Sequence, residues 1–396
     1  MEICIYFQVH QPMRLSQFSI FGNGKDYGED LNRYFDSELN AKIMEKVAKK
    51  CYLPTNRIML ELLEQNPEFK VSYSLTGVFI EQCKMFAPEV LESFAQLAKS
   101  GRAEFLSETY YHSLAYLFQD KDEFIAQVEL HSKAISEFAT PSKVFRNTEA
   151  MFSNDVAYLA ERLGYEGIMA EGIDHILGWR SPNYLYSVHR CEKIKALLRH
   201  YRLSDDIGYR FSAKWWSEYP LTADKYARWL SELQGDCVNI FMDYETFGEH
   251  HWEDTGIFEF LRHLPKEVAR YRHLSFSTPS ELVERVPARG EIDVPHITSW
   301  ADMERDTSAW LGNEMQKQSF QLIESLGKKV KATGDRELIR IWRMLQNSDH
   351  FYYMCTKSLS DQDVHNYFSP YDSPFDAYIN YMNIVRDFAK KVESRL

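Results

Sequence analysis

Val238-Asn239-Ile240-Phe241-Met242-Asp243-Tyr244-Glu245 passes from a largely apolar pentad directly into two carboxylates separated by one residue. A short apolar run of this kind reads as a strand buried on both faces of a parallel sheet. The acidic residues that end it then stand at a strand exit. The same pattern recurs along the chain. His10-Gln11-Pro12 follows Ile3–Val9, Thr76-Gly77 follows Val71–Leu75, and Ser107-Glu108 follows Ala103–Leu106. Asn147-Thr148-Glu149 follows Val144–Phe145, Glu171 follows Gly167–Ala170, and Asp205-Asp206 follows Ala196–Leu203. Leu274–Phe276 is an eighth run.

Segments with helical period separate the runs: Lys42–Leu63, Pro88–Ser100, Asp122–Phe138, Asp155–Leu163 and Ala223–Leu233. Strand–helix alternation of this kind predicts a mainly parallel sheet covered by helices. Polar and ionisable residues gather at the strand exits, which favours a closed barrel, because its exits open on one face. In an open doubly wound sheet they would converge only at a switch point. Beyond Val286 the pattern changes. Asp302–Lys331, Arg336–Thr356 and Pro374–Val392 read as helices with no strand between them, and Val286–Thr298, containing Pro and Gly, reads as a junction. The expected division is a barrel over 1–285 and a helical region over 286–396 packed on it.

The 396 residues are 44% hydrophobic, enough for a large core and too apolar for disorder. With 46 Lys and Arg against 58 Asp and Glu the formal net charge is −12, which argues against nucleic acid or an anionic membrane as the main partner. No stretch approaches the ~20 apolar residues that span a bilayer. The opening Met1–Phe7 enters a strand-like run without a basic leader. Six scattered cysteines, none in a C-x-x-C pair, read as buried thiols of a reducing, cytoplasmic setting. The 24 Tyr, 25 Phe and 8 Trp mostly serve a core, with some expected to line a cleft.

Glu149 and Asp243 each follow a buried strand, which holds a carboxyl rigidly and partly desolvated. One such group is driven up in pKa while a better-hydrated partner stays ionised, and two of them can share glycoside hydrolysis. A helix cap or an Arg partner is compatible with the same spacing. His10 can bond a substrate hydroxyl or serve as a satisfied structural group. Glu108 and His112, four apart, share a face if they lie on a helical turn, where they could hold metal or sugar. Glu249-His250-His251 with Asp254 is a second metal arrangement, and a solvated helix start is the commoner use of such residues. The sequence contains no H-E-x-x-H, G-x-G-x-x-G, Walker or G-x-S-x-G motif, so zincin, dinucleotide, P-loop and serine-hydrolase readings lack support.

Taken together the segments resemble glycoside hydrolase family 57, in its α-amylase-like branch, over nearly the whole chain. The resemblance rests on His10-Gln11-Pro12, on Gly101–Glu104 running to Glu108 and His112, and on Asn147-Thr148-Glu149. It rests further on Met242–His250, and on Thr298–Asp302 continuing to Trp310–Asn313. It implies an incomplete (β/α)7 TIM-like barrel with a helical C-terminal region, so one of the eight runs should lie outside the barrel. It also implies a retaining enzyme, with Glu149 as nucleophile and Asp243 as general acid/base, acting on α-1,4-glucan without metal or cofactor. His10, Glu108, His112, Asp205 and Asp302 would hold sugar hydroxyls, while Trp300 and Trp310 would offer faces to sugar rings or pack in the core. A 4-α-glucanotransferase would use the same pair. A silent glycan-binding protein and a metal-dependent deacetylase are the readings from other classes.

Overall fold

The structure is a computed structural model and describes residues 1–18, 31–357 and 369–396. Its first strand, β1 (Glu2–Val9), has seven of its eight residues buried, the pattern of a strand covered on both faces. Six further strands complete the ring: β2 (Val71–Leu75), β3 (Ala103–Ser107), β4 (Pro141–Phe145), β5 (Gly167–Glu171), β7 (Lys195–Arg199) and β8 (Cys237–Asp243). β1 pairs parallel with β2 on one side (Tyr6 opposite Ser72) and with β8 on the other (Tyr6 opposite Phe241). The remaining pairs, β2–β3, β3–β4, β4–β5 and β5–β7, are also parallel. A single residue pair, Arg199 opposite Asn239, joins β7 to β8 and closes the seven strands into a barrel.

The eighth run belongs to none of these. It contributes β9 (Ser275–Phe276), which lies beside Glu2 and Ile3 at the start of β1. β6 (Tyr186–Val188) runs antiparallel on β7, outside the ring, and carries β10 (Glu291–Ile292). β10 is a short strand inside the junction, where none was expected.

Other boundaries differ for local reasons. The run read as a strand over Ala196–Leu203 stops at Arg199. The His200 side chain accepts from the Leu203 amide and caps a helix over Tyr201–Gly208, so Asp205 lies inside that helix and not at a strand exit. The segment Lys42–Leu63 is interrupted by a π turn, Ala48–Tyr52, between helices Ser37–Val47 and Leu53–Gln65. Pro54 brings no N–H to the Lys50 carbonyl four residues earlier. Gly248 packs against that carbonyl so closely that a Cβ would stand 2.0 Å from it.

The barrel's interior is filled by Cys4, Tyr6, Leu106, Val144, Met169, Leu197 and Phe241. A second core joins strand residues Phe145, Ile168 and Leu198 to Ile323, Trp342 and Phe388 of the helical region. That region contains Ser308–Leu311, Glu314–Thr333, Arg336–Met344, Ser348–Tyr352 and Pro374–Glu393. The expected helix from Asp302 begins only at Ser308, because Asp302 and Arg305 take positive φ. The expected helix Arg336–Thr356 breaks where the Asn347 side chain caps the next turn.

Candidate active site

A cleft of about 360 Å³ opens at the C-terminal ends of the barrel strands. Its walls come from the exits of β1, β3, β4, β7 and β8, from Trp300–Asp302, and from Asp349, Tyr352 and Tyr353. Polar groups converging from many strand ends are what a barrel's catalytic face supplies.

Glu149 stands four residues beyond β4 at φ 56° and ψ 26°. This left-handed conformation is uncommon for a residue with a Cβ and is characteristic of functional sites. The turn is held by the Asn147 side-chain amide, which donates to the Met151 carbonyl (3.1 Å), and by the pairing of Phe152 with Thr298. The Glu149 carboxylate accepts from the Trp300 indole N–H (2.9 Å) and the Ser348 hydroxyl (2.8 Å). His112 Nε2 lies 3.3 Å from its Oε1. His112 Nδ1 in turn lies 3.1 Å from Glu108, which also accepts from the Gln8 amide (3.0 Å) and from the Ser74 hydroxyl.

These contacts set the charges. Burial works against the His112 cation, but the bonds to Glu108 and Glu149 outweigh it and carry the imidazole up to about 9. Burial likewise works against a charged Glu149. The His112 bond and charge, Arg146 and the Trp300 N–H reverse this and bring the carboxyl down to about 2. His10 stacks on His112 at 4.2 Å between ring centroids, and its nitrogens face the Thr76 hydroxyl (2.9 Å) and Asp349 (3.0 Å). Burial and the neighbouring His112 charge push it down, so the two stacked rings are one neutral and one charged.

Asp243, the last residue of β8, has the opposite balance. Burial raises its carboxyl to about 6, with the Glu149 charge adding to the rise and Arg146 opposing it. Two residues on, Glu245 is raised to about 8 by burial and by Asp243. It accepts from the Tyr52 hydroxyl at 2.5 Å. The π turn supplies Tyr52, one of the common uses of such a turn. At neutral pH the site therefore holds an ionised Glu149, a protonated Glu245, and an Asp243 that titrates just below neutrality.

The cleft wall includes Glu149, Asp243, His10, His112, Asp205, Trp300, Asp302 and Trp310. Glu108 does not line it: the residue is wholly buried behind His112 and acts on the site through that ring. Glu108 and His112 meet across a turn with His112 at φ 49°, not along a helix. Trp310 is 1% exposed and packs within the second core, so packing accounts for its ring. Asp302 is bound by Lys357 (3.0 Å), and Asp205 by Arg199 (2.5 Å). Glu249 pairs with Lys46 and His251 with Ser212, so the second metal arrangement is dispersed among protein partners. Among the described residues no group of three or more His, Cys, Asp or Glu side chains is arranged to hold a metal ion.

Ser348, Asp349, Tyr52 and Arg146 also belong to the site and were not anticipated. The one available signal was Gln346-Asn347-Ser348-Asp349, a polar run that breaks an otherwise helical apolar period.

Comparison with known proteins gives the family. The family model of glycosyl hydrolase family 57 matches residues 4–295. The chain belongs to glycosyl hydrolase family 57. It is an enzyme of the glycoside hydrolase class, as the resemblance implied. Within family 57 it is 51% identical over 407 residues to a Methanocaldococcus jannaschii protein whose name, alpha-amylase, is itself provisional. That match covers 100% of this chain and 86% of the relative. The 4-alpha-glucanotransferase of Thermococcus litoralis is 20% identical over 306 residues, covering 75% of this chain and 44% of that enzyme. A GH57-type branching enzyme from Pyrococcus horikoshii superposes with a TM-score of 0.70 at 12% identity. It covers 100% of this chain and 94% of that one, a likeness of fold.

Proposed function

We propose that this family 57 enzyme is a retaining hydrolase of α-1,4-glucan, of α-amylase type, with Glu149 as nucleophile and Asp243 as general acid/base. The observation that carries the reading is the split between the two carboxyls, one held near 2 and the other raised to about 6. Two carboxyls in one cleft whose environments drive them apart have divided the roles of base and acid.

In the first step a Glu149 oxygen attacks the anomeric carbon while Asp243 gives its proton to the departing glycosidic oxygen. A glycosyl ester forms on Glu149. In the second step the ionised Asp243 takes a proton from water, the water oxygen bonds to the anomeric carbon, and Glu149 leaves as carboxylate. His10, Asp205, Asp302 and Trp300, which line the cleft, would meet sugar groups around the bond. His112 and Trp300 hold the nucleophile, and Glu108 supports His112. Neither step requires a metal or cofactor. All six cysteines are free, which supports a reducing, cytoplasmic setting.

The test is a product time course on maltoheptaose and amylose beside Glu149→Gln and Asp243→Asn. Shorter maltooligosaccharides alone, lost in Glu149→Gln and reduced about 10²–10⁴-fold in Asp243→Asn, are the expected outcome. Products both longer and shorter than the substrate would make the protein a 4-α-glucanotransferase using the same pair. Unchanged rates in Glu149→Gln would overturn the assignment.

A further inference from the structure

We infer that Glu171 is a positioning residue for both catalytic carboxyls, a buried clamp that joins the loop holding Glu149 to the strand ending in Asp243. The inference rests on the assignment of Glu149 and Asp243 above. Glu171 ends β5 and its side chain is fully buried, away from the cleft wall. Its Oε1 accepts from the Gly172 amide (3.0 Å). Its Oε2 accepts from two guanidinium groups, Arg199 (3.0 Å) and Arg305 (2.9 Å).

Each arginine reaches the support of a different catalytic carboxyl. Arg305 Nη1 also donates to the Trp300 carbonyl (2.6 Å), and the Trp300 indole donates to the Glu149 carboxylate. Arg199 Nε donates to the Phe241 carbonyl (2.7 Å), two residues before Asp243, and its Nη2 donates to Asp205. One carboxylate thus fixes the supports of nucleophile and acid/base relative to each other.

The loop needs this anchor. Residues 299–306 close on themselves through the Ser299 amide to the Arg305 carbonyl (3.0 Å) and the Ser299 hydroxyl to the Asp306 carbonyl (2.6 Å). Asp302 and Arg305 both hold positive φ, and Met303 at the tip is 81% exposed. A loop strained at two positions and open to solvent keeps one geometry only where outside contacts impose it. Arg305 to Glu171 is such a contact, reaching directly to a barrel strand. Catalysis loses about a hundredfold for misplacements of an ångström, so loosening this joint should register in kcat.

The experiment compares Glu171→Gln, Arg305→Met, Arg305→Lys and the Glu171→Gln/Arg305→Met double variant, with wild type and Glu149→Gln as controls. Each is assayed for kcat and KM on maltoheptaose and for backbone hydrogen exchange. Glu171→Gln keeps the side chain's shape and one acceptor but removes the charge that both arginines share. It is expected to lower kcat at least tenfold with a smaller change in KM. Arg305→Met should lower kcat as well, Arg305→Lys should restore part of the loss, and the double variant should be no slower than Glu171→Gln. In exchange, Arg305→Met should loosen residues 299–306 alone, whereas Glu171→Gln should loosen both 299–306 and 237–243.

Single variants with kcat within twofold of wild type, in an assay that Glu149→Gln abolishes, would overturn the clamp and leave the catalytic assignment intact. Wild-type protein inactive on glucan would instead overturn the α-glucan hydrolase reading on which the kinetic arm rests. Exchange then decides the clamp by itself: unchanged protection of 299–306 in both variants refutes it.

Discussion

At the scale of single residues, the site works by giving neighbouring carboxyls opposite surroundings. On the proposed assignment, glycosylation needs Glu149 ionised and Asp243 protonated, a combination bounded by their values of about 2 and about 6. The pH profile of kcat/KM on maltoheptaose should therefore fall about tenfold per unit above pH ~6. Stability should fall over a lower pH range. Burial raises Asp243 in the folded state, so its ionisation destabilises the fold increasingly as pH rises from about 4 to about 6 and fully above that. Asp243→Asn is expected to raise Tm at pH 7.5 and leave it unchanged near pH 3, which thermal melts at the two pH values would check. Trp300→Phe removes the N–H that Glu149 accepts. A hydrogen bond to a charged group contributes about 1.5–3 kcal/mol. The expected loss in kcat/KM is roughly ten- to a hundredfold, with the acidic limb moved upward. Glu149 and Asp243 were legible in the sequence because each follows a buried run, and position after a strand fixes where a side chain points. The burial of Glu108 behind His112 was not legible. Spacing brings those two residues together but does not say which of them faces solvent.

At the scale of elements, most helices and strands follow from apolar period and the polar residues that interrupt it. The exceptions are places where one side chain overrules the pattern. His200 turns an apolar run into a helix start, Asn347 breaks a helix in two, and Pro54 leaves the Lys50 carbonyl without its helical partner. The last of these couples the π turn to the loop after β8 through Gly248, which sits at φ +107° against the Lys50 carbonyl. Gly248→Ala should therefore cost about 2–4 kcal/mol, by left-handed strain and by clash. Gly334→Ala, at φ +64° with nothing nearby, should cost only about 1–2 kcal/mol. Urea midpoints of the two variants would separate the contributions. Because the π turn aims Tyr52 at Glu245, the Gly248 variant should also lose activity under conditions where it remains folded.

At the scale of the whole molecule, the barrel and the helical region share one core and one site. Phe145 and Ile168 pack with Trp342 and Phe388, while Ser348 reaches Glu149 and Asp349 reaches His10 across more than a hundred residues of sequence. We expect the two regions to unfold in one transition, with far-UV and near-UV circular dichroism coincident in urea. Two separated midpoints would show that they are independent units. This sharing is also why the placement of Ser348 and Asp349 in the site is not legible in the sequence. The apolar period locates their helices but carries no record of which barrel exit those helices cover.

β1 is the strand most committed to distant partners, taking β2 on one edge and β8 on the other. During synthesis it leaves the ribosome about 230 residues ahead of β8, an interval of about 10–50 s at ordinary translation rates. Over that time one flank of a strand that is almost wholly buried in the native fold has no native neighbour, the condition under which nascent strands aggregate. The ring that gives the enzyme a rigid floor leaves the growing chain with an open strand edge until β8 is made.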